Sequence, residues 1–222
     1  MTVLLALAQS TAAGGDPVWD AAVRIVAQSR IAPAAAIATT VHVDSAGRET
    51  GRSETWVRFE PLRDGRLASE IIYRSENGRT LSRRERERRN RADTRRRDAA
   101  PFRIAELPLS PELQTFVRYR RVAAAADRLV FEFDLERDGH SMFGTVVVTP
   151  EGRPLEIDFE PRPLPPFFES LRSTLRFDVA GEGRVRLASM SVRGSAGALW
   201  VRRGLRTEFR FLETLPRPPS RE

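Results

Sequence analysis

Alternation of apolar and polar residues is the dominant pattern along most of this chain. Between residues 128 and 136, every second position is apolar, and Glu132 and Asp134 lie on the opposite face; the apolar positions are Leu129, Phe131, Phe133 and Leu135. A period of two is typical of a strand with one buried face and one face in water. The same alternation recurs in four other segments, whose apolar members are Val57 and Phe59; Leu155, Ile157 and Phe159; Leu171, Leu175, Phe177 and Val179; and Leu205, Phe209 and Phe211. We therefore predict a mainly β (α+β) fold with about ten antiparallel strands.

One segment near the N-terminus has the period of a helix instead. Trp19, Ala22 and Val26 recur at helical spacing, and Asp16-Pro17 supplies a capping acid followed by proline at the first helical position. These residues predict a helix over 17–29. A single antiparallel sheet of this size should curl. We expect the helix to cover its concave side, which gives an open half-barrel.

Turn signals and breaks of pattern set the boundaries of the predicted domain. Thr149-Pro150-Glu151-Gly152 fits a type I turn, and the apolar phase slips near residue 188, which indicates a bulge. We predict a single domain over residues 16–213, with an arginine-rich helical insertion at 80–97 and a disordered tail at 214–222. Residues 1–15 form a separate N-terminal segment.

The first residues suggest export. The apolar run Val3–Ala8 ends in an Ala-x-Ala pattern, but no charged residue precedes it. We interpret it as part of a bacterial secretory signal, incomplete in this sequence, and expect a periplasmic protein.

Composition argues against most kinds of catalytic chemistry. The chain has no cysteine, which excludes disulfides, thiolate metal sites and cysteine nucleophiles. Its two histidines, His42 and His140, have no acidic cluster at metal-ligand spacing, and the carboxylates are too scattered to nominate a catalytic pair. We expect a protein that is not an enzyme and has no catalytic residue, metal or cofactor.

The basic charge of the chain is concentrated in one stretch. All 37 basic residues are arginine, and Arg83–Arg97 holds nine arginines and three acids, which is +6 of the formal +7. Ser82 and Glu85 form a capping box, and Glu85–Arg89 and Glu87–Arg91 are spaced to pair along a helix. A solvated helix is the favoured interpretation. The alternatives are a patch for an anionic membrane surface or an acidic protein, formed by Arg83, Arg84, Arg88, Arg91 and Arg95, and nucleic-acid binding, which the lack of interleaved aromatics disfavours.

Two adjacent aromatics end one predicted strand. Phe167 and Phe168 follow Pro165 and Pro166. They form either a lip over an apolar cavity or a loop whose aromatics fold into the core, and the sequence favours neither.

Several motifs resemble the LolA/LolB-like family of periplasmic lipoprotein-sorting proteins. They are the N-terminal helix before a long meander, SENGRTLSRRERERRNR at 75–91, ELPLSPEL at 106–113, and the hairpin FGTVVVTPEGRPLEIDFEP at 143–161. The resemblance implies an open half-barrel that holds acyl chains and performs no chemistry.

The pattern and the resemblance together predict a monomeric periplasmic carrier for lipid or for the acyl chains of an acylated protein. Two alternatives stay open: a polyanion- or nucleic-acid-binding protein acting through Arg83–Arg97, and an interaction module whose barrel is filled by its own side chains. The predicted cavity lining is the inward-facing set Val57, Phe59, Leu129, Phe131, Phe133, Leu155, Ile157, Phe159, Phe167, Phe168, Leu175, Phe177 and Phe209.

Overall fold

A computed structural model describes residues 15–29, 33–61, 67–88, 107–164, 166–179, 184–198 and 201–216. Three predicted parts lie partly outside these described residues: residues 1–14 of the N-terminal segment 1–15, residues 217–222 of the tail, and residues 89–97 of the arginine-rich insertion, which include Arg91 and Arg95.

The described chain is mainly β. One α-helix, α1 (Pro17–Gln28), precedes the strands, and a 3-10 helix (Pro111–Phe116) interrupts them. The strands are β1 (Ala35–Val43), β2 (Glu49–Pro61), β3 (Leu67–Glu76), β4 (Arg79–Thr80), β5 (Val117–Ala124), β6 (Leu129–Arg137), β7 (His140–Val148), β8 (Pro154–Arg162), β9 (Phe168–Val179), β10 (Val185–Ala198) and β11 (Val201–Leu212).

In the described part of the chain, all eleven strands belong to one open antiparallel sheet. Its order is β4-β3-β2-β1-β11-β10-β9-β8-β7-β6-β5, so that β4 and β5 are the two edges. The sheet is not closed into a barrel, which confirms the predicted half-barrel class. Because β4 and β5 lie on opposite edges, the chain between Thr80 and Val117 connects the two sides of the sheet.

Helix α1 begins where the sequence predicts. The Asp16 carboxylate accepts a hydrogen bond from the Val18 N–H at 2.9 Å, which satisfies one free donor of the first turn. Trp19, Ala22 and Val26 form the buried face of the helix. This face packs on one side of the sheet, which we call the inner face.

Two predicted irregularities are present. The β9–β10 pairing shifts register between Leu187 and Ser189, at the predicted bulge. The Gly152 N–H donates to the Thr149 carbonyl at 2.9 Å, as the predicted β-turn requires. Gly152 has φ +85° and lies against α1.

Candidate functional site: the inner face of the sheet

Helix α1 and residues 107–116 together cover part of the inner face. Leu107, Leu109 and Leu113 belong to the same buried cluster as Trp19 and the inward side chains of β6 to β8. Residues 106–113 carry one of the motifs that resemble the LolA/LolB-like family, but that motif does not predict this covering role. Their signal was the spacing of three leucines within seven residues.

Trp19 joins the two covering segments to the sheet. Its Nε1 donates to Gln114 Oε1 at 2.9 Å, and the Gln114 amide donates in turn to the carbonyls of Pro108 and Ser110. The indole stacks on Tyr119 with centroids 4.2 Å apart and meets Phe131 edge-on at 5.5 Å. Burial is the main cause that raises the pKa of the Tyr119 phenol, so the phenol is neutral at physiological pH.

Most of the residues predicted to line a cavity lie under this cover. Seven of them belong to the buried cluster: Leu129, Phe131, Phe133, Ile157, Phe159, Leu175 and Phe177. Val57 is buried but lies outside that cluster. Phe59 and Phe209 are partly buried against the same cluster. The covered part of the inner face is therefore filled by the protein's own side chains.

Leu155 does not face inward as the alternation predicted. The register of β7 with β8 shifts between Val147 and Val148, so that Val148 pairs with Pro154 and Leu155 is the extra residue. Pro154 takes the buried position, and Leu155 is 37% exposed. A bulge has moved the strand by one residue, which exchanges its faces.

The two adjacent phenylalanines, Phe167 and Phe168, differ in exposure. Phe167 is 75% exposed and has φ +72°, and its carbonyl accepts a hydrogen bond from the Gly197 N–H at 3.0 Å. Phe168 is partly buried, with its ring beside the Cα of Gly194. Phe167 therefore points away from the core at the tip between β8 and β9.

A different part of the inner face is lined by a mixture of hydroxyl-bearing and aliphatic side chains. The cross-strand register places Thr40, Thr207, Val192 and Ser173 side by side across β1, β11, β10 and β9. Leu205 and Leu171 lie in the next row, on either side of Gly194. We call the six residues Thr40, Leu171, Ser173, Val192, Leu205 and Thr207 the trough.

The trough differs from the covered region in both polarity and burial. Leu171, Val192 and Leu205 are half-buried and do not pack against the buried cluster. Ser173 and Thr207 are buried, and the hydroxyls of Thr40 and Thr207 are hydrogen-bonded at 3.0 Å. The trough was absent from the predicted cavity lining. Leu171 and Leu205 belong to the apolar alternation, but the serine and threonine positions beside them do not stand out in it.

The arginine-rich stretch begins with the predicted capping box. The Ser82 N–H donates to Glu85 Oε2 at 2.8 Å, and the Glu85 N–H donates to Ser82 Oγ at 3.3 Å. The Arg79 guanidinium first, and then the Ser82 donors, lower the pKa of Glu85 to about 2.

Within the described residues, two acids of this stretch pair with arginines that were not predicted as their partners. Glu85 binds Arg79, and Glu87 binds Arg83 at 2.9 Å. The predicted partners Arg89 and Arg91 lie outside the described residues. Arg84 and Arg88 are exposed on the helical segment 83–88.

The outer face carries a small cavity of about 310 Å³ at the hairpin between β6 and β7. Its lining is Asp134, Glu136, Gly139, His140, Ser141, Phe143 and Arg162. The Arg162 guanidinium lies 4.3 Å from the centre of the Phe143 ring.

Among the residues that the structure describes, no group of three or more histidines and acids could hold a metal ion. Within the same residues, no helix has the length and apolar character needed to cross a bilayer.

The fold and the inner face define a class: an open antiparallel half-barrel with a helix-covered core and a separate trough.

No protein-family model and no curated protein matches the chain. A chain from the complex structure of Pseudomonas aeruginosa MucA/MucB is similar at 12% identity and a TM-score of 0.23, over 89% of this chain and 94% of that one. The di-domain ARO/CYC protein StfQ, from the steffimycin biosynthetic pathway, gives 12% identity and a TM-score of 0.21, over 87% and 81%. TM-scores this low carry no argument about ligand, partner or location, so the resemblance to the LolA/LolB-like family stays a prediction.

Proposed function

We propose that this protein is a non-enzymatic binding protein that holds a lipid acyl chain, free or carried by an acylated protein, in the trough. The observation that carries the proposal is a difference in side-chain burial between two regions of the inner face. The covered region is filled, whereas Leu171, Val192 and Leu205 stay half-buried beside it.

The trough suits a mainly apolar ligand that also carries an ester or carboxyl group. Its four strands span three inter-strand spacings, or about 14 Å. The three leucine and valine side chains offer apolar contact, and the half-buried Thr40 hydroxyl, which is bonded to Thr207, offers a polar contact. Burying eight methylenes contributes roughly 6 kcal/mol before the costs of association, so we expect binding in the micromolar range or weaker.

Native mass spectrometry of the purified protein with added palmitate tests this proposal. Leu171→Glu places a charge in the trough and should abolish the complex. Leu155→Glu is the matched control, because it makes the same change at a partly exposed leucine that does not face inward. Equal binding by both variants, or no uptake by the unchanged protein, contradicts the proposal.

We further propose that the protein works in the periplasm. The support is the apolar run Val3–Ala8 with its Ala-x-Ala ending, which lies outside the described residues. Fractionation of the native host with an antibody to the protein would place it in the periplasm. Recovery in the cytoplasm alone would refute the location without affecting the trough.

A further inference from the structure

Strand β5 is an arginine-rich strand at one edge of the sheet. Its eight residues, Val117–Ala124, include Arg118, Arg120 and Arg121 and no acid. In the described part of the chain it is the last strand in the order, with β6 as its neighbour. An edge strand presents backbone N–H and C=O groups that a further strand can bind.

The pairing of β5 with β6 shows which side chains fit beside it. On the outer face, Arg118 donates to Asp134 at 3.1 Å and Arg120 donates to Glu132 at 2.6 Å. On the inner face, Tyr119 pairs with Phe133. A strand that fits beside β5 therefore carries acids on its outer face and apolar residues on its inner face.

The arginines keep donors for a second partner. Each guanidinium has five N–H donors. Arg120 uses only Nε and Nη2, on Glu132, and Arg118 uses only Nη2, which lies 3.1 Å from Asp134 and 3.6 Å from Glu136. The side chains of Arg118 and Arg120 are 74% and 73% exposed. An acid on the other side of β5 would reach the same guanidinium groups at cross-strand distance.

We propose that the outer edge of β5 binds an extended acidic segment of a partner protein, which adds to the sheet as a twelfth strand. Its acids would lie opposite Arg118 and Arg120 on the outer face, and its apolar residues beside Val117 and Tyr119 on the inner face. A second copy of β5 would instead bring arginines close to arginines, which repel one another. The bulge between Arg121 and Ala123 limits regular pairing to the first five residues. The proposal is independent of the trough and its ligand.

Fluorescence anisotropy with a labelled eight-residue peptide of alternating glutamate and valine tests the proposal. We expect saturable binding that weakens as salt is added, and no binding of a matched lysine–valine peptide. The Arg118→Glu, Arg120→Glu double variant should weaken binding by about tenfold or more. Amide hydrogen exchange of the complex should show added protection at residues 117–121.

The matched control is the double variant Arg172→Glu, Arg176→Glu. These two arginines pair with Asp158 and Glu156, as the edge arginines pair with β6, but β9 has a neighbouring strand on each side. The control should bind the peptide within about twofold of the unchanged protein. Equal losses in both double variants, binding of the lysine–valine peptide, or no added protection on β5 would each overturn the proposal.

Discussion

Replacement of Gly152 by alanine tests how the helix is held on the sheet. Gly152 ends the turn between β7 and β8 with φ +85°, and its Cα faces α1. A β-carbon there would lie 2.7 Å from the Ala21 β-carbon and 2.9 Å from both the Ala22 nitrogen and the Val18 oxygen. Two of these three atoms are helix backbone, so they cannot move without moving α1.

Two costs add in this substitution. A left-handed conformation costs alanine about 1–2 kcal/mol, and overpacking against a rigid neighbour costs about 1–3 kcal/mol. We expect Gly152→Ala to lower the free energy of unfolding by about 2–5 kcal/mol, measured by urea denaturation.

Gly139→Ala isolates the conformational cost. Gly139 has φ +76°, and a β-carbon there would meet nothing within 4 Å. This control should lose only about 1–2 kcal/mol. Equal losses in the two variants would refute the close packing of α1 on the turn.

Three further predictions concern the core, the capping box and the start of α1. Phe131→Ala should lower the free energy of unfolding by about 3–5 kcal/mol in urea, because the ring is fully buried; a stable variant that had only lost ligand would show that the region is a cavity. Since the folded pKa of Glu85 is about 2 against an ordinary 4.5, the capping box should hold above pH 4.5 and open as the pH falls from 4.5 to 2. An NMR titration of the Glu85 carboxyl with a midpoint near 4.5 would contradict this. Asp16→Ala should cost about 1 kcal/mol by thermal unfolding and Asp16→Asn less, because asparagine also caps helices; equal losses would assign the effect to the Arg121 ion pair instead.

The local pattern of apolar and polar residues was enough to predict the helix, the strands and most of the side chains that face inward. Phe131, Phe133 and Leu135 alternate with the acids Glu132 and Asp134, and all three are buried on the inner face. The start of α1 followed from Asp16 and Pro17, whose capping roles depend on neighbours in sequence. These features need no knowledge of distant contacts.

Features that depend on pairing partners could not be predicted. Nothing in residues 154–160 shows that Val148 pairs with Pro154, and this register decides that Leu155 faces outward. The edge position of β5 has the same origin, because it depends on the connection that leads from β4 to the opposite side of the sheet. The trough also arises from pairing, since its six residues come from four strands.

The alternation of apolar and polar residues does not distinguish a sheet whose concave face is filled by side chains from one whose concave face holds an open cavity. Both need apolar side chains that point inward, and Phe131 or Ile157 would occupy the same sequence positions in either case. The amount of apolar side chain brought by other segments decides the outcome. Here Trp19 and Val26 from α1, and Leu107, Leu109 and Leu113 from the connection, share one buried cluster with inward side chains of β6 to β11. A ligand-binding surface is then expected where these segments do not pack, beside Leu171 and Val192.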